Sequence, residues 1–544
     1  MNAGDTAWVL VSTGLVLFML PGLAFFYGGL VTRRNVLVML QQNIVPLGLI
    51  SVLWVLVGYS LAFGRDTAHG VIGNLDLFAL HNLGDATLPS LHVVGPGVSI
   101  PTLAFVAYMM MFAIITPALV TGATANRLTF SGYVVVIGLW SVIVYAPVAH
   151  WLWSPHGWLR TLGAQDWAGG LVVHGSAGAA ALALLLVVGP RRRWPESTAP
   201  PHSIPLTVLG AGILWFGWIG FNGADGFQAN AVAAQAVMNT LVAAAGAMLV
   251  WLCVERRTGG HATVLGAVTG AVAGLATITP CAGYVDTYSA IIIGGLAGLI
   301  CSAALRLKFI FHLDDALDVL AVHFAGGILG TFLLGLFGHK TVNPAGANGL
   351  LYGGGGGLLG HQALAIVVVV AFAFCATWII AISVARTIGL RVSPSNEERL
   401  DATQQAISAY ALDAATGAME PAAPVRRAPT SAPPRQAGPM KLIRVLVDHP
   451  DADELRSVLL EAGAASIVLS EASSYTTKPH TEVIRGQSRM VEFEPRVRLE
   501  VMAEERDVTR IVDAIRRTPW VSSYLQVLDA DFIEPVTAQD ASLR

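Results

Sequence analysis

A chain of 544 residues with 54% hydrophobic and only 12% charged side chains, and a mean hydropathy of +0.63, is too apolar for a soluble globular protein, in which about a quarter of residues are charged. Its formal net charge of −3 provides no basic surface for nucleic acid and singles out no partner. Cys253, Cys281, Cys301 and Cys375 lack metal-ligand spacing, and no constellation of nucleophile, base and acid supports an enzyme.

In chain order, eleven stretches are apolar over about 20 residues, enough to span a bilayer as a helix. They lie near 8–31, 38–63, 101–123, 131–153, 168–189, 205–222, 230–254, 262–279, 288–306, 319–338 and 363–388. The first has no basic leader and ends at TRRN, so it reads as a retained helix rather than a cleaved signal. Arg33/Arg34, Arg127, Arg191/Arg192/Arg193, Arg256/Arg257, Arg306/Lys308 and Arg386/Arg391 follow the odd-numbered spans. The alternate loops carry only Arg65, Arg160 and Lys340. The positive-inside rule then predicts an outer N-terminus and a cytoplasmic C-terminus in a cell inner (plasma) membrane.

Span 5 carries His174 in LVVHGSAGAAALALLLVVG, and span 10 carries His323 in DVLAVHFAGGILGTFLLGLFG. A titratable ring inside a bilayer is costly unless it lines a polar path or finds a partner. Each histidine follows an aspartate by eight positions, Asp166 and Asp315, so the pattern D-x7-H occurs twice. Eight helical residues rise about 12 Å, which sets each carboxylate near a membrane face and each imidazole toward the midplane. The two patterns are five spans apart, and an odd number of spans inverts the second unit. The expectation is an all-α polytopic membrane protein of 11 transmembrane helices, a 5+5 inverted repeat plus one, with both histidines on a shared path.

Aromatic residues gather toward one end of that path: Tyr108 and Phe112 in span 3, Trp153 ending span 4, and Trp218 and Phe221 in GWIGFNGADG ending span 6. Aromatic faces at an outer mouth attract a small cation, whereas an apolar lining beyond them makes a bare ion costly. Histidine exchanges a proton near neutral pH. An ion that leaves its proton and crosses as a neutral molecule is therefore favoured. Ammonium can do this; potassium cannot.

After span 11 the character changes. Residues 392–439 form a polar tail followed by the Pro/Ala/Arg linker EPAAPVRRAPTSAPPRQAGP, semi-extended by its prolines. From Met440, MKLIRVLVD alternates as a strand, DADELRSVLLEAG is helical, and SIVLSEASSY is a second strand. A polar stretch of about eighteen residues precedes a third strand, RVRLEVMAE; a helix at RDVTRIVDAIRRT and a strand at YLQVLDADFIEPV complete β-α-β-β-α-β, the order of a ferredoxin-like α+β domain over 440–536. The insertion between strands two and three is too long for a hairpin and reads as a functional loop. Residues 537–544 are a tail.

The membrane part, 1–391 with the match running over about 7–395, resembles the Amt/Mep/Rh ammonium transporters in LVLFMLPGLAFFYGGL, WVLVGYSLAFG, DWAGGLVVHGSAG, WFGWIGFNGADG, TPCAGY, LDDALDVLAVHFAGGILG and GLRV. The resemblance implies a homotrimer in the lipid membrane with one pore per subunit. It places Trp153 at an external recruitment site, Asp166 at the outer mouth, and Tyr108 above a phenyl gate of Phe112 and Phe221. His174 and His323 become the pore pair, with Trp218 beside them. Asp225 stands where the family usually has serine, and Asn126 where an acidic residue is common. Three readings stay open at this point: a transporter, a sensor in which Asp225 retains the ion, and an Rh-like neutral channel.

Residues 440–535 resemble the PII signalling proteins in KPHTEVIRGQSRMVEFEPRVRLEV. That resemblance implies regulation of the pore by the fused domain in its own trimer, with Arg485 as the T-loop arginine aimed at a pore exit and Arg496 at a 2-oxoglutarate site. Thr477 replaces the family glutamine, RRTPWVSSYLQV lacks the glycines and lysines that cradle phosphates, and Arg489 replaces the modified tyrosine. ATP, ADP and 2-oxoglutarate thus remain the only cofactors implied, on an altered site, and none is required for transport.

Overall fold

The computed structural model describes residues 1–67, 69–81, 83, 98–192, 194–195, 200–410, 440–448, 452–464, 466–484, 487–518 and 525–530. Arg485, the proline-rich linker and the tail at 537–544 lie outside the described residues. The chain separates into two compact units, one built on Met1–Ala409 and one on the sheet and helices between Met440 and Ala530.

Among the described residues, ten helices are long and apolar enough to cross a membrane: α1 (Ala3–Leu30), α2 (Val36–Phe63), α3 (Thr102–Gly122), α4 (Phe130–Leu162), α5 (Gly170–Val188), α6 (Ile204–Gly223), α7 (Ala231–Gly259), α9 (Thr287–Ile310), α10 (Leu320–Phe337) and α11 (Gly357–Thr387). The apolar stretch expected as span 8 forms a shorter helix, α8 (Val264–Ile278, 15 residues). At 1.5 Å per residue it covers about 22 Å. It stops at Thr279-Pro280, where proline has no N–H to continue the ladder. The carbonyls of Thr279 and Pro280 then accept the N–H groups of Ala168 and Trp167 (both 3.2 Å). That turn fixes the entrance to α5.

Small residues allow the helices to approach closely, as expected where lipid supplies no hydrophobic drive. Along α1 and α6, a Cβ at Gly29 would lie 2.5 Å from the Ser203 carbonyl oxygen, and one at Gly210 2.2 Å from the Phe26 nitrogen.

Part of the segment expected as a polar tail folds onto the membrane unit. Asp401 accepts the N–H groups of Leu37 (3.1 Å) and Val38 (2.9 Å) at the start of α2. Gln404 accepts the N–H of Phe130 and donates to the Leu128 carbonyl, while Glu397 pairs with Arg391 at 2.6 Å. The membrane unit therefore extends past residue 391, because helix starts α2 and α4 need acceptors for N–H groups that have no partner within the helix.

The second unit is β1 (Met440–Asp448), α12 (Ala452–Glu461), β2 (Ser466–Ile484), β3 (Gln487–Glu504), α13 (Glu505–Arg517) and β4 (Leu525–Ala530). The four strands lie in the order β2-β3-β1-β4, with β1 antiparallel to both β3 and β4. Ile443, Val445, Val447, Leu499 and Val501 pack against Leu455, Leu459, Ile511 and Ile515. The stretch expected as a loop is instead strand, as β2 runs on to Ile484 and β3 begins at Gln487. Its polarity concealed a β-branched and aromatic content (Thr476, Thr477, Thr481, Val483, Val491, Phe493) that favours extended backbone. Arg496 lies in β3 opposite Asp448.

Candidate functional site

The two D-x7-H patterns fold alike. Asp166 accepts four backbone N–H groups, from Gly169, Gly170, Leu171 and Val172 (2.6–3.1 Å), and so caps α5. Asp315 accepts those of Val319 (3.0 Å) and Leu320 (2.7 Å) at the start of α10. Both helices open with a π-helical turn, Gly170–Gly175 and Leu320–Phe324, and each turn holds its histidine. Such wide turns re-aim a side chain and recur at functional sites.

The histidines meet. Nδ1 of His323 lies 3.2 Å from Nδ1 of His174, with the rings nearly parallel at 13°. Both are buried, and Nε2 of His174 has no hydrogen-bond partner among the described residues. Two glycines allow the approach. A Cβ at Gly327 would lie 2.8 Å from His174 Cβ, and one at Gly178 2.4 Å from Phe324 Cβ. Trp218 stacks on His174 (5.6 Å, 21°) and donates its indole N–H to Thr279 Oγ1 at 3.0 Å.

Above this pair, Phe112 and Phe221 stack at 4.2 Å and 28°. Tyr108 fixes that arrangement by donating its hydroxyl toward the carbonyls of Gly220 (2.9 Å) and Phe221 (2.8 Å). Trp153 meets the edge of Phe112 at 5.7 Å and donates its indole N–H to the Asp166 carbonyl.

Beyond the stacked phenyl pair, past Trp153, is a vestibule of about 240 Å³ lined by Trp153, Arg160, Asp166, Trp167, Asp225 and Tyr284, among others. Asp225 is buried in its wall rather than out in solvent, and its Oδ1 has no partner among the described residues. Burial, and next the Asp166 carboxylate, hold the Asp225 carboxyl well above the usual range. Burial pushes Asp166 up to about 6, against the pull of its four N–H donors. On the other side of the phenyl pair, one small apolar cavity is bounded by Phe221, Trp218, His174 and His323, and the next by His323, Tyr27, Thr269 and Asp318. Trp153 thus joins the vestibule to the phenyl pair, Phe221 joins that pair to the histidine slot, and His323 borders both the slot and the far cavity.

The sequence-expected Trp153, Asp166, Asp225, Tyr108, Phe112, Phe221, His174, His323 and Trp218 therefore converge on one path. Sequence reasoning missed Thr279, which positions Trp218, and the Lys308–Asp318 pair, joined at 2.5 Å. Asp318 stood in the LDDALD run as a third acidic residue. Lys308 entered only as a topological charge.

These features define a multi-pass membrane protein with a histidine-lined pore. The family model described as Ammonium Transporter Family matches residues 7–410. The ammonium transporter of Mycobacterium tuberculosis is 43% identical over 443 residues, 77% of this chain and 93% of that protein. Mep2 of Saccharomyces cerevisiae superposes with a TM-score of 0.66 and 32% identity over 72% of this chain and 91% of that one. A solved structure described as a sensor Amt protein gives 0.65 and 28% over 73% and 96%. The chain belongs to the ammonium transporter family; its function is ammonium transport, and it is not an enzyme.

Proposed function

We propose that ammonium enters the vestibule as a cation, held by the faces of Trp153 and Tyr108 and by the carboxylate of Asp225, with Asp166 shaping the mouth as the cap of α5. At the Phe112–Phe221 gate it loses its proton, and ammonia passes Trp218 and the histidines. The proton moves through the His174–His323 pair: one imidazole nitrogen takes it up as another gives its own away, and the pair ends as it began. Ammonia and the proton recombine on the far side, so one positive charge crosses per ammonium. The observation that carries this reading is the Nδ1–Nδ1 contact of 3.2 Å inside an apolar slot. Two imidazoles there relay a proton, whereas a dehydrated alkali ion finds no ligand set to replace its water. Ammonium-evoked current in proteoliposomes tests it: a sustained current with ammonium and none with potassium is the expected result. Movement of ammonia without net charge would favour an Rh-like channel.

A second reading draws on Asp225. A buried carboxylate with an unpartnered oxygen in the vestibule retains a cation more firmly than the serine usual in the family. A sensor with little flux then gives only a small binding transient in the same experiment.

In this reading α8 is an eleventh span, and the ten helices before α11 form a 5+5 inverted repeat. The N-terminus lies outside the plasma membrane and the C-terminus in the cytoplasm, as the basic loops require. Three chains assemble, each with its own pore. The second unit is a ferredoxin-like, PII-like regulator that works in its own trimer, Arg485 acting at a pore exit and Arg496 at an effector site for 2-oxoglutarate or a nucleotide. The order β2-β3-β1-β4 supports that assignment. A guanidinium at the exit blocks sterically and repels a cation, so Arg485→Ala relieves any inhibition that the domain exerts.

A further inference from the structure

We infer that Lys308 and Asp318 form a charge-compensated cation exit, in which the lysine ammonium occupies the carboxylate that a departing ammonium ion uses. The inference rests on the transport reading and adds an exit site to it.

Asp318 lines the cavity that also contains His323 and Tyr27. This is the mouth remote from Asp166, since Arg127 joins the carbonyl of Gly189, just beyond the end of α5, to that of Asp314. Three aspartates gather here, and two are committed to structure. Asp314 is held by Arg191 through three hydrogen bonds of 2.7–2.8 Å. Asp315 is occupied by the N–H groups that begin α10. Asp318 alone of the three lines the cavity, and its Oδ1 is 2.5 Å from Lys308 Nζ. Both side chains are largely buried, at 9% and 5% exposed.

A lysine head group is a primary ammonium that carries the charge of the transported ion and three of its four N–H donors. Its Nζ lies between the Asp318 carboxylate and the face of Phe309, 5.3 Å from the ring centroid. At the vestibule the arriving ion meets the same pair of partners, the Asp225 carboxylate and aromatic faces. A bare carboxylate at an exit would trap a cation, and a bare lysine would repel it. Paired, the two leave the mouth close to neutral, and the emerging ion exchanges with Nζ. The proton balance closes: ammonia forms its fourth N–H bond as the histidine pair releases a proton, and Lys308 keeps its own throughout.

The backbone favours a clean test. Asp318 has φ +66°, a left-handed conformation that asparagine tolerates as well as aspartate. Asp318→Asn thus removes charge without adding strain.

Sustained ammonium current from the full chain in proteoliposomes is compared for wild type, Asp318→Asn, Lys308→Met and the double variant. Each single variant is expected to lose about tenfold or more, from one uncompensated buried charge. The Lys308→Met current should also be inhibited by potassium on the Asp318 side, and the double variant should recover to within about threefold of wild type. A double variant no better than the weaker single one overturns the inference, leaving the pair a structural contact. Potassium-insensitive current in Lys308→Met overturns it equally. If Lys308→Met does not fold, Lys308→Gln carries the same comparison. Wild-type protein without sustained current overturns the transport reading itself, and the exit site with it.

Discussion

His174 and His323 stand Nδ1 to Nδ1 at 3.2 Å, and each is followed four residues later by a glycine, Gly178 and Gly327, at which α5 and α10 cross. The separation is set by backbone approach rather than by the imidazoles. Gly327→Ala would place a methyl group 2.5 Å from the Gly170 carbonyl oxygen and 2.8 Å from His174 Cβ. Backbone must then move, at a cost of about 1–3 kcal/mol for overpacking, and the ring nitrogens part. We expect ammonium current to fall by about tenfold or more while the purified protein still elutes as folded material. Undiminished current would show that the pair tolerates separation.

Asp225 makes transport sensitive to pH in a definite direction. Its cation-binding form is the carboxylate, and burial with the neighbouring Asp166 holds its pKa well above the usual range. The negative charge is thus lost as pH falls through that raised value, earlier than for an exposed aspartate. Apparent ammonium affinity of the wild type should weaken as pH falls. Asp225→Ser should bind more weakly at high pH, and its deficit should shrink toward low pH. Titrating affinity in both proteins while ammonium stays protonated checks this. A deficit that is the same at every pH removes Asp225 from the binding site.

Legibility followed the range of the interactions. The spans, the histidines and the aromatic residues clustered beside them were readable because each is encoded by local composition or by a pattern that repeats. The end of α8 before Pro280 was readable to within a residue, whereas its start at Val264 is fixed by Thr263, whose Oγ1 accepts the Gly266 N–H. Thr279, Lys308 and Gly327 acquire their roles only from residues remote in sequence or on another helix. In the second unit, alternation located β1 and the start of β2. It failed over 476–484, where polar β-branched residues form strand. The D-x7-H spacing sets each carboxylate near a membrane face and each imidazole toward the midplane. In the fold those carboxylates cap helices, and the vestibule carboxylate with an oxygen that has no partner among the described residues is Asp225.

Asp314 supports the far mouth by stability rather than by transport chemistry. It pairs with Arg191, and its carboxylate lies 3.6 Å from Arg127, whose side chain is wholly buried. Asp314→Ala leaves that guanidinium without its counter-charge, which costs about 3–5 kcal/mol. The melting temperature in detergent should drop by several degrees or more, and Asp314→Asn should recover part of the loss. A melting temperature within error of wild type would show that Arg127 is satisfied by carbonyls alone.

The boundary between transporter and appended domain decides how truncations are read. Asp401 caps α2 through Leu37 and Val38, and Gln404 bonds Phe130 and Leu128. A chain ending at Leu400 loses both side chains, while one ending at Tyr410 keeps both. A lost cap costs about 1 kcal/mol, and two helix starts are affected. The shorter chain should therefore melt lower and give a reduced current for reasons unrelated to regulation. The longer one should keep the thermal stability of the membrane unit and release any restraint that residues 440–544 impose. Current from the two truncations, set beside the full chain, separates these effects. Current restored only in the chain ending at Tyr410 identifies the domain as an inhibitor. Equal current in all three assigns the domain a role that requires a ligand, and shows that the Asp401 cap is dispensable for flux.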